Sequence, residues 1–268
     1  MPLDLPTALA PELFLAATVV TAVVVLAGAI NGVAGFGFAL VGTMALATLM
    51  DPATAVVFMI VPILSVNLTL VSELSTAELR ACGRRFAPLV GAALVGVLVG
   101  MLALDVLPDD PLRVALGLVT LAFVVVRQTI VPIPGLDRAT DRCFVETPLA
   151  MVGVGGISGL LFGGTNVGVQ LVAYLKSCRL PHGLFVGVVA MVFIGLNGVR
   201  VVAAGAIGLY PGLEFVAASL LAAVPAVIGV KAGSLVRPHA SESTVRALVL
   251  GLLAVIGLRL VFGGLGVA

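Results

Sequence analysis

The longest runs without a charged side chain set the fold class of this chain. Residues 13–50 contain no Asp, Glu, Lys or Arg over 38 consecutive positions, and residues 147–175 contain none over 29. A helix that spans the hydrocarbon core of a bilayer needs about 20 mainly apolar residues. These runs therefore predict membrane-spanning helices, and the first run is too long for a single one.

The composition of the whole chain extends this conclusion. Of the 268 residues, 61% are hydrophobic and 10% are charged, whereas soluble domains carry about 25% charged residues. A soluble protein of this length could not hide so much apolar surface. A soluble domain, a disordered chain and a disulfide scaffold are excluded. The predicted fold class is an all-α polytopic membrane protein with roughly eight to ten transmembrane segments.

Glycine-rich breaks interrupt both uncharged runs. We predict a first helix over 12–30, a non-helical turn over 31–37 and a short helix over 38–50, because Asn and three glycines make a poor helix interior. A second break is predicted at 163–166, followed by a short segment over 167–176. The remaining helices are predicted at 52–71, 86–105, 111–131, 182–207, 212–231 and 243–262. Within them, Pro62 and Pro225 are expected to kink their helices.

The second half of the chain repeats the plan of the first at an offset of 127 to 133 residues. The aligned pairs are Asn31-Gly32 with Ser158-Gly159, Gly37 with Gly164, Pro52 with Pro181, Asn67 with Asn197, Arg113 with Arg246 and Arg127 with Arg259. We therefore predict two transmembrane repeats, residues 1–135 and 136–268, of about five segments each. In each repeat, one segment is short and follows a break.

The basic residues predict the orientation. The loops 72–86, 127–146, 176–182 and 231–246 hold eleven of the fourteen Lys and Arg residues. Because basic loops stay in the cytoplasm, both termini are predicted to lie outside the cell membrane. This assignment requires an odd number of segments in each half, so the two repeats would be inverted relative to each other.

The breaks are the first candidate for a binding site. Short, Gly-interrupted segments at matching places in two inverted halves are typical of the binding site of a carrier. Unpaired backbone cannot face lipid, and helix N-termini, predicted here at Phe38 and Val167, attract anions. The candidate substrate-binding residues at the breaks are Asn31, Gly35, Gly37, Phe38, Ser158, Gly163, Gly164, Thr165 and Asn166. The alternative is that these glycines only allow close helix packing.

Arg200 is the second candidate, because it lies inside an otherwise uncharged span. An intramembrane arginine usually faces a partner or a water-filled cavity. Asn197 precedes Arg200 by three positions and can share its helix face, and Asn67 is the counterpart of Asn197 in the first half. We expect Arg200 to provide positive potential for an anionic substrate. The alternative is that Arg200 snorkels to the outer interface.

The sequence lacks the patterns of several other functions. No Asp, Glu or His lies in the middle of a predicted span, and there is neither a Walker A motif nor a G-x-S-x-G motif. We predict no enzyme, no catalytic residue, no metal and no cofactor. Cys178 and His182 have ligand spacing, but Pro181 interrupts any helix between them. A net charge of +1 gives no reason to expect a nucleic-acid partner.

Two stretches carry a resemblance to a known family. The stretch "NGVAGFGFALVGTMALATLMDPATAV" at the first break and the stretch "GGISGLLFGGTNVGVQLVAYLKSCRLPHGLFVGVVAMVFIGLNGVRVV" at the second resemble the two signatures of the sulfite exporter TauE/SafE family. The resemblance covers both halves. It implies a membrane carrier that moves sulfite, sulfonates or related small anions, commonly outward.

The functional hypothesis is a secondary transporter that exports a small sulfur-containing or organic anion, such as sulfite or sulfoacetate, by alternating access. Its expected partners are the anion and the lipid bilayer, and a homodimer is among the open assembly states. Two alternatives stay open: an anion channel with the same midplane site, and a membrane scaffold subunit that transports nothing. Paired breaks argue against the scaffold, which needs none.

Overall fold

A computed structural model of the chain describes residues 9–34, 37–71, 84–127, 147–178 and 182–267. All the regular secondary structure in these ranges is helical. In the first half the helices are α1 Leu9–Ala34, α2 Phe38–Leu46, α3 Pro52–Phe58, α4 Ile60–Val71, α5 Ala87–Val106 and α6 Asp109–Arg127. In the second half they are α7 Pro148–Thr165, α8 Val169–Ser177, α9 His182–Ala206, α10 Leu213–Val236 and α11 Glu242–Gly264, with a 3₁₀ turn at Arg237–His239.

Helix length and hydropathy confirm the polytopic fold class. Within the described ranges, seven helices are long and apolar enough to cross a membrane, with α3 and α4 counted as one. Helix α6 falls outside this set because it carries four charged residues, Asp109, Asp110, Arg113 and Arg127. Helices α2 and α8 have nine residues each. At 1.5 Å per residue they are roughly 13 Å long, so neither crosses the bilayer alone.

The surface and the interior have the polarity expected of a membrane protein. Large apolar side chains face outward along the long helices, and Leu149 is 83% exposed. Polar side chains are instead found in the interior, where Asn166, Asn197 and Arg200 are buried. Since a bilayer solvates apolar groups and not charges, polar groups inside the bundle mark positions with partners or function.

The helices pair across the two halves of the chain. Helix α1 packs along α10, and α5 packs along α7; α6 packs along α11, and α4 along α9. The helices of the two halves can be matched in order, α1 with α7, α4 with α9, α5 with α10 and α6 with α11. Under this matching the pair α1–α10 becomes the pair α7–α5. The pairs α6–α11 and α4–α9 each become themselves. A duplication related by a two-fold axis gives this pattern. The repeat boundary at 135/136 lies outside the described residues and stays a prediction.

Glycines at intervals of four allow these pairs to approach closely. A Cβ atom added at Gly28 or Gly32 of α1 would come within 3.0 Å of the α10 backbone, and one added at Gly229 or Gly233 would meet α1 in the same way. The α5–α7 pair has the same arrangement, formed by Gly96, Gly100, Gly155, Gly159 and Gly163. The contacts are those of a small-xxx-small helix interface.

These glycines follow the offsets found in the sequence. Gly28 and Gly32 of α1 correspond to Gly155 and Gly159 of α7 at an offset of 127, and each pair packs against a helix of the other half. On the other side of each interface, Gly96 and Gly100 of α5 correspond to Gly229 and Gly233 of α10 at an offset of 133. Gly163 lies at the same α5–α7 interface, where an added Cβ would meet the Val97 backbone.

The predicted positions of the breaks are wrong by about one helical turn. Asn31 lies inside α1, and residues 163–165 lie inside α7, so the second break is at 166–168 and α8 begins at Val169 rather than Val167. Glycine did not end these helices because the neighbouring helix packs against it. Helix α2 ends at Leu46 rather than near residue 50, and a turn at Met59 interrupts the predicted helix 52–71. Gly35 lies outside the described residues.

A matched pair of substitutions in α7 tests the glycine interface. Gly159→Ala would place a methyl group against the Ala93 backbone, so we expect a loss of about 1–3 kcal/mol of stability. Gly153→Ala adds a methyl group where nothing lies within 4 Å, and we expect a gain of up to about 1 kcal/mol. Thermal unfolding of both variants in detergent measures the difference. Equal midpoints would contradict a close α5–α7 contact.

Candidate functional site

Asn166 links the second break to the first half of the chain. Its backbone has φ 60° and ψ 11°, a left-handed conformation that ends α7. Its Nδ2 donates to Thr43 Oγ1 at 2.8 Å and to the Val56 carbonyl at 2.9 Å. Because the Val56 carbonyl can only accept, the orientation of the amide is fixed. The Oδ1 atom is then buried with no hydrogen-bond partner.

Side chains also bind the backbone at both breaks. At the first break, the Phe38 N–H donates to Asn31 Oδ1 at 3.3 Å, and Gly37 has φ 104°, which glycine adopts without strain. At the second break, the Val167 N–H donates to Thr165 Oγ1 at 3.1 Å, and this hydroxyl donates to the Leu161 carbonyl at 2.6 Å. The N–H groups of Phe38 and Val167 at the breaks thus have side-chain partners within the protein, as a membrane interior requires.

A third interruption separates α3 from α4. Pro62 has no N–H, so it cannot bond to the carbonyl four residues earlier, at Phe58. Ser219 of α10 donates its hydroxyl to the Phe58 carbonyl at 2.6 Å, and both residues are buried. Together with the Asn166–Val56 bond, this contact means that second-half side chains satisfy two carbonyls of α3.

Arg200 of α9 is fully buried and points at the carbonyl end of α7. Its Nη2 donates to the Gly163 carbonyl at 3.4 Å, and its Nη1 donates to Asn197 Oδ1 at 3.2 Å. Its guanidinium lies 4.8 Å from the centre of the Phe162 ring. None of these contacts involves a carboxylate, and Nε has no hydrogen-bond partner. The snorkelling alternative is wrong, because the guanidinium is enclosed by protein.

Aromatic rings connect Arg200 to the second break. Phe162 and Phe193 pack edge to face with their ring centres 5.0 Å apart. A Cβ added at Gly168 would overlap the Phe193 ring, so the break, the two rings and the guanidinium form one packed group. Arg200 has no exposed surface, and the structure is therefore a state in which this group is closed to solvent.

The arginine binds a segment that is longer in the second half than in the first. Gly37 and Gly168, the residues before α2 and α8, correspond at an offset of 131, which replaces the pairing of Gly37 with Gly164, whereas the interface glycines of α1 and α7 correspond at 127. The second half therefore has four more residues between Gly159 and α8 than the first half has between Gly32 and α2, about the number in one turn of α-helix. Phe162 and Gly163, which hold Arg200, lie in this longer segment. The cation and its support are thus both specific to the second half.

Tyr210 lies beyond the end of α9, between two membrane-spanning helices. Burial raises the pKa of its phenol, and the charge of Arg200 acts in the opposite direction. The phenol is therefore neutral near pH 7 and available as a donor. Its hydroxyl is buried and has no hydrogen-bond partner among the described residues. The Tyr210 ring packs on Phe215, which in turn packs on Phe58.

The structure brings together only part of the predicted site. Arg200 contacts both Asn197 and Gly163. Thr165 and Asn166 follow Gly163 within one turn along the chain. Ser158 is buried on α7 one turn before Phe162. Asn67 is half-buried on α4 and donates to the Ile63 carbonyl, the same backward bond that Asn197 makes to Phe193. Leu70 then stands where Arg200 stands in the second half.

The N-terminus of α2, which was predicted to attract an anion, has a partner within the protein. Asn166 contacts Thr43, five residues into α2, and the first N–H of α2 already binds Asn31. Sequence reasoning missed four contributors to the site: Thr43, Phe162, Tyr210 and Ser219. Pro62 indicated a freed carbonyl at Phe58, but no feature of the sequence identifies Ser219 as its donor. In the described part of the chain, no group of three His, Cys, Asp or Glu side chains could hold a metal.

The fold and the site define a polytopic helical membrane protein with paired helix breaks and a buried cation beside one of them. Comparison with family models identifies the family. The model described as "Sulfite exporter TauE/SafE" matches residues 20–260, and the chain belongs to this family, as the resemblance predicted. The family consists of membrane anion transporters and not of enzymes. Searches of curated proteins and of solved structures found no match.

A double-mutant cycle tests the α3–α4 junction. Ser219→Ala leaves the buried Phe58 carbonyl unpaired, which costs about 1–3 kcal/mol. Pro62→Ala restores an N–H that can bond to this carbonyl, so Ser219→Ala should cost less in that background. Unfolding in detergent gives both differences. An equal cost of Ser219→Ala in the two backgrounds would contradict the role assigned to proline.

Proposed function

We propose that this chain is a secondary transporter that exports a small sulfur-containing or organic anion, such as sulfite or a sulfonate like sulfoacetate, by alternating access. Membership of the TauE/SafE family supports the transport of an anion. The observation that carries the proposal is Arg200, a fully buried arginine whose contacts within the described part of the chain include no carboxylate.

The electrostatics of Arg200 favour an anionic ligand. A buried charge costs several kcal/mol unless it has a compensating partner. The carbonyl end of α7, which Arg200 contacts through Gly163, carries about half a negative charge. About half a positive charge on Arg200 then remains uncompensated, and a bound anion would neutralise it. The Nε atom, which has no partner, is a donor ready for such a ligand.

The arrangement of the helices favours alternating access over a fixed pore. The exchanged pairs α1–α10 and α5–α7 fit two inverted repeats, in which one half rocks against the other around a fixed site. The group around Arg200 is closed in this structure, so a ligand enters only when the helices move. The proposed orientation places both termini outside the cell membrane and the basic loops in the cytoplasm.

The interruption between α3 and α4 supplies a coupling between the halves. Val56 and Phe58 of the first half bind Asn166 and Ser219 of the second half through hydrogen bonds. Asn166 also begins the break that follows the last turn of α7, where Arg200 binds. A ligand that moves Asn166 therefore acts directly on the first half, and one that moves Arg200 acts through the last turn of α7.

Counterflow in proteoliposomes tests the proposal. Vesicles preloaded with unlabelled sulfite or sulfoacetate should accumulate the labelled anion transiently, because a carrier exchanges its substrate. Arg200→Gln, which removes the charge, should reduce exchange by about 10–100-fold, as expected for a lost charged hydrogen bond. The matched control Arg237→Gln removes an exposed cation at the end of α10 and should leave exchange unchanged.

Each other result points to a different function. Labelled flux that follows the gradient without counterflow would indicate the channel. No flux of either anion through folded wild-type protein would contradict the proposed substrates and favour the scaffold. Exchange by Arg200→Gln at the wild-type rate would show that Arg200 is not part of the binding site.

A further inference from the structure

We propose that the substrate anion carries a hydrogen-bond donor of its own, either a hydroxyl or ammonium group or the acidic proton of a monoanion. This inference deepens the proposed function and rests on it. The structural basis is a juxtaposition at the second break: a cation with a free donor atom, beside buried amide oxygens that have no donor.

The first acceptor is Asn166 Oδ1. The amide is fixed by its two donated bonds to Thr43 and Val56, so its oxygen cannot rotate into their place. This oxygen is buried and has no hydrogen-bond partner among the described residues. A buried acceptor without a donor is costly, and in a membrane interior a bound ligand can supply the missing donor.

The second acceptor lies one turn further on. Gln170 is in the first turn of α8, and its Oε1 is also buried without a partner. Asn166 is the first of the three residues that separate α7 from α8, and Gln170 follows the last of them by two positions. A helix N-terminus by itself would favour only negative charge. Two unpaired amide oxygens, one at the start of the break and one in the first turn of α8, require donors as well.

The cation is bound at the helix end that the first acceptor terminates. Arg200 binds the Gly163 carbonyl, and the Asn166 N–H binds the Phe162 carbonyl at 3.0 Å, so both residues attach to the last turn of α7. Among the described residues of the site, the partnerless atoms are then Arg200 Nε and the Tyr210 hydroxyl, which can donate, and the amide oxygens of Asn166 and Gln170, which accept. A fully ionised anion without a donor, such as sulfoacetate near pH 7, would satisfy Arg200 and leave both acceptors unpaired, so the inference favours protonated sulfite and hydroxylated or amino sulfonates over sulfoacetate. A monoanion that carries a donor satisfies both kinds of group.

Specificity against an analogue that lacks a hydrogen-bonding group is the expected consequence, because such an analogue leaves the buried groups of the site unpaired. The probe pair is 2-hydroxyethanesulfonate and ethanesulfonate, which differ by one hydroxyl. In competition with labelled sulfite counterflow, wild-type protein should bind the hydroxyl compound about 3–10-fold more tightly.

A second arm examines the acidic proton as the source of the donor. Sulfite exchange is measured over the pH range in which the sulfite monoanion loses its proton. Methanesulfonate does not titrate in this range, so its exchange is the reference for effects of pH on the protein. Relative to this reference, exchange should rise as the protonated monoanion replaces the dianion. The two arms thus distinguish a carbon-borne donor from the proton of the anion itself.

Two variants and a control complete the test. Asn166→Gly keeps the positive φ while it removes the acceptor, and Gln170→Met removes the second acceptor with little change in length. Either variant should reduce the preference for the hydroxyl compound toward 1-fold. Thr120→Val, which deletes a buried hydroxyl of α6 that is bonded to Leu116, should keep the wild-type preference.

Wild-type exchange with equal affinity for the two sulfonates, together with exchange that follows the dianion, would overturn the inference and leave the proposed function intact. A preference that persists in both Asn166→Gly and Gln170→Met would overturn it as well. Absence of any sulfite or sulfonate exchange in folded wild-type protein would instead be a failure of the proposed function.

Discussion

The structure depends on one constraint, the need to satisfy backbone polar groups where helices are interrupted inside a membrane. Lipid offers no hydrogen bonds, so each interruption must find partners within the protein. Asn31 binds the first N–H of α2, Thr165 binds the N–H of Val167, and Ser219 binds the carbonyl that Pro62 leaves free. Asn166 adds a bond to the Val56 carbonyl. Polar side chains therefore collect at the interruptions, and a binding site can form there with little further cost.

The same constraint explains why the site is asymmetric. The two halves share interface glycines at matching offsets and share the backward bonds of Asn67 and Asn197. They differ in the four additional residues between Gly159 and α8 and in the residue three positions after each asparagine, which is Leu70 in one half and Arg200 in the other. The longer segment supplies the Gly163 carbonyl and the Phe162 ring. The cation and its support thus occur together, in one half only.

Much of the fold could be predicted from the sequence because the bilayer fixes the length and polarity of each span. The uncharged runs gave the long helices, and the glycines gave the approximate places of the breaks. The precise positions could not be obtained, because glycines such as Gly159 and Gly163 remain helical when another helix packs against them. Whether a glycine ends a helix depends on that neighbour, and the local sequence does not contain it.

The site was predictable to a similar degree. Arg200 and Asn197 stood out because polar residues are costly inside a span, and the structure brings them together. The partners Thr43, Ser219 and Phe162 are ordinary residues of membrane helices, and only tertiary packing gives them a role. Asn166 was selected as a donor toward the anion, whereas its donor atoms bind protein and its oxygen is the atom left unpaired.

The central claim is that an anion binds at Arg200, and ligand-dependent stability of the purified protein tests it most directly. A ligand that binds the folded state raises the unfolding midpoint with its concentration. Sulfite, compared with chloride at equal ionic strength, should raise the midpoint of the wild-type protein and leave that of Arg200→Gln unchanged. An equal rise in both proteins, or no rise in the wild type, would contradict the account.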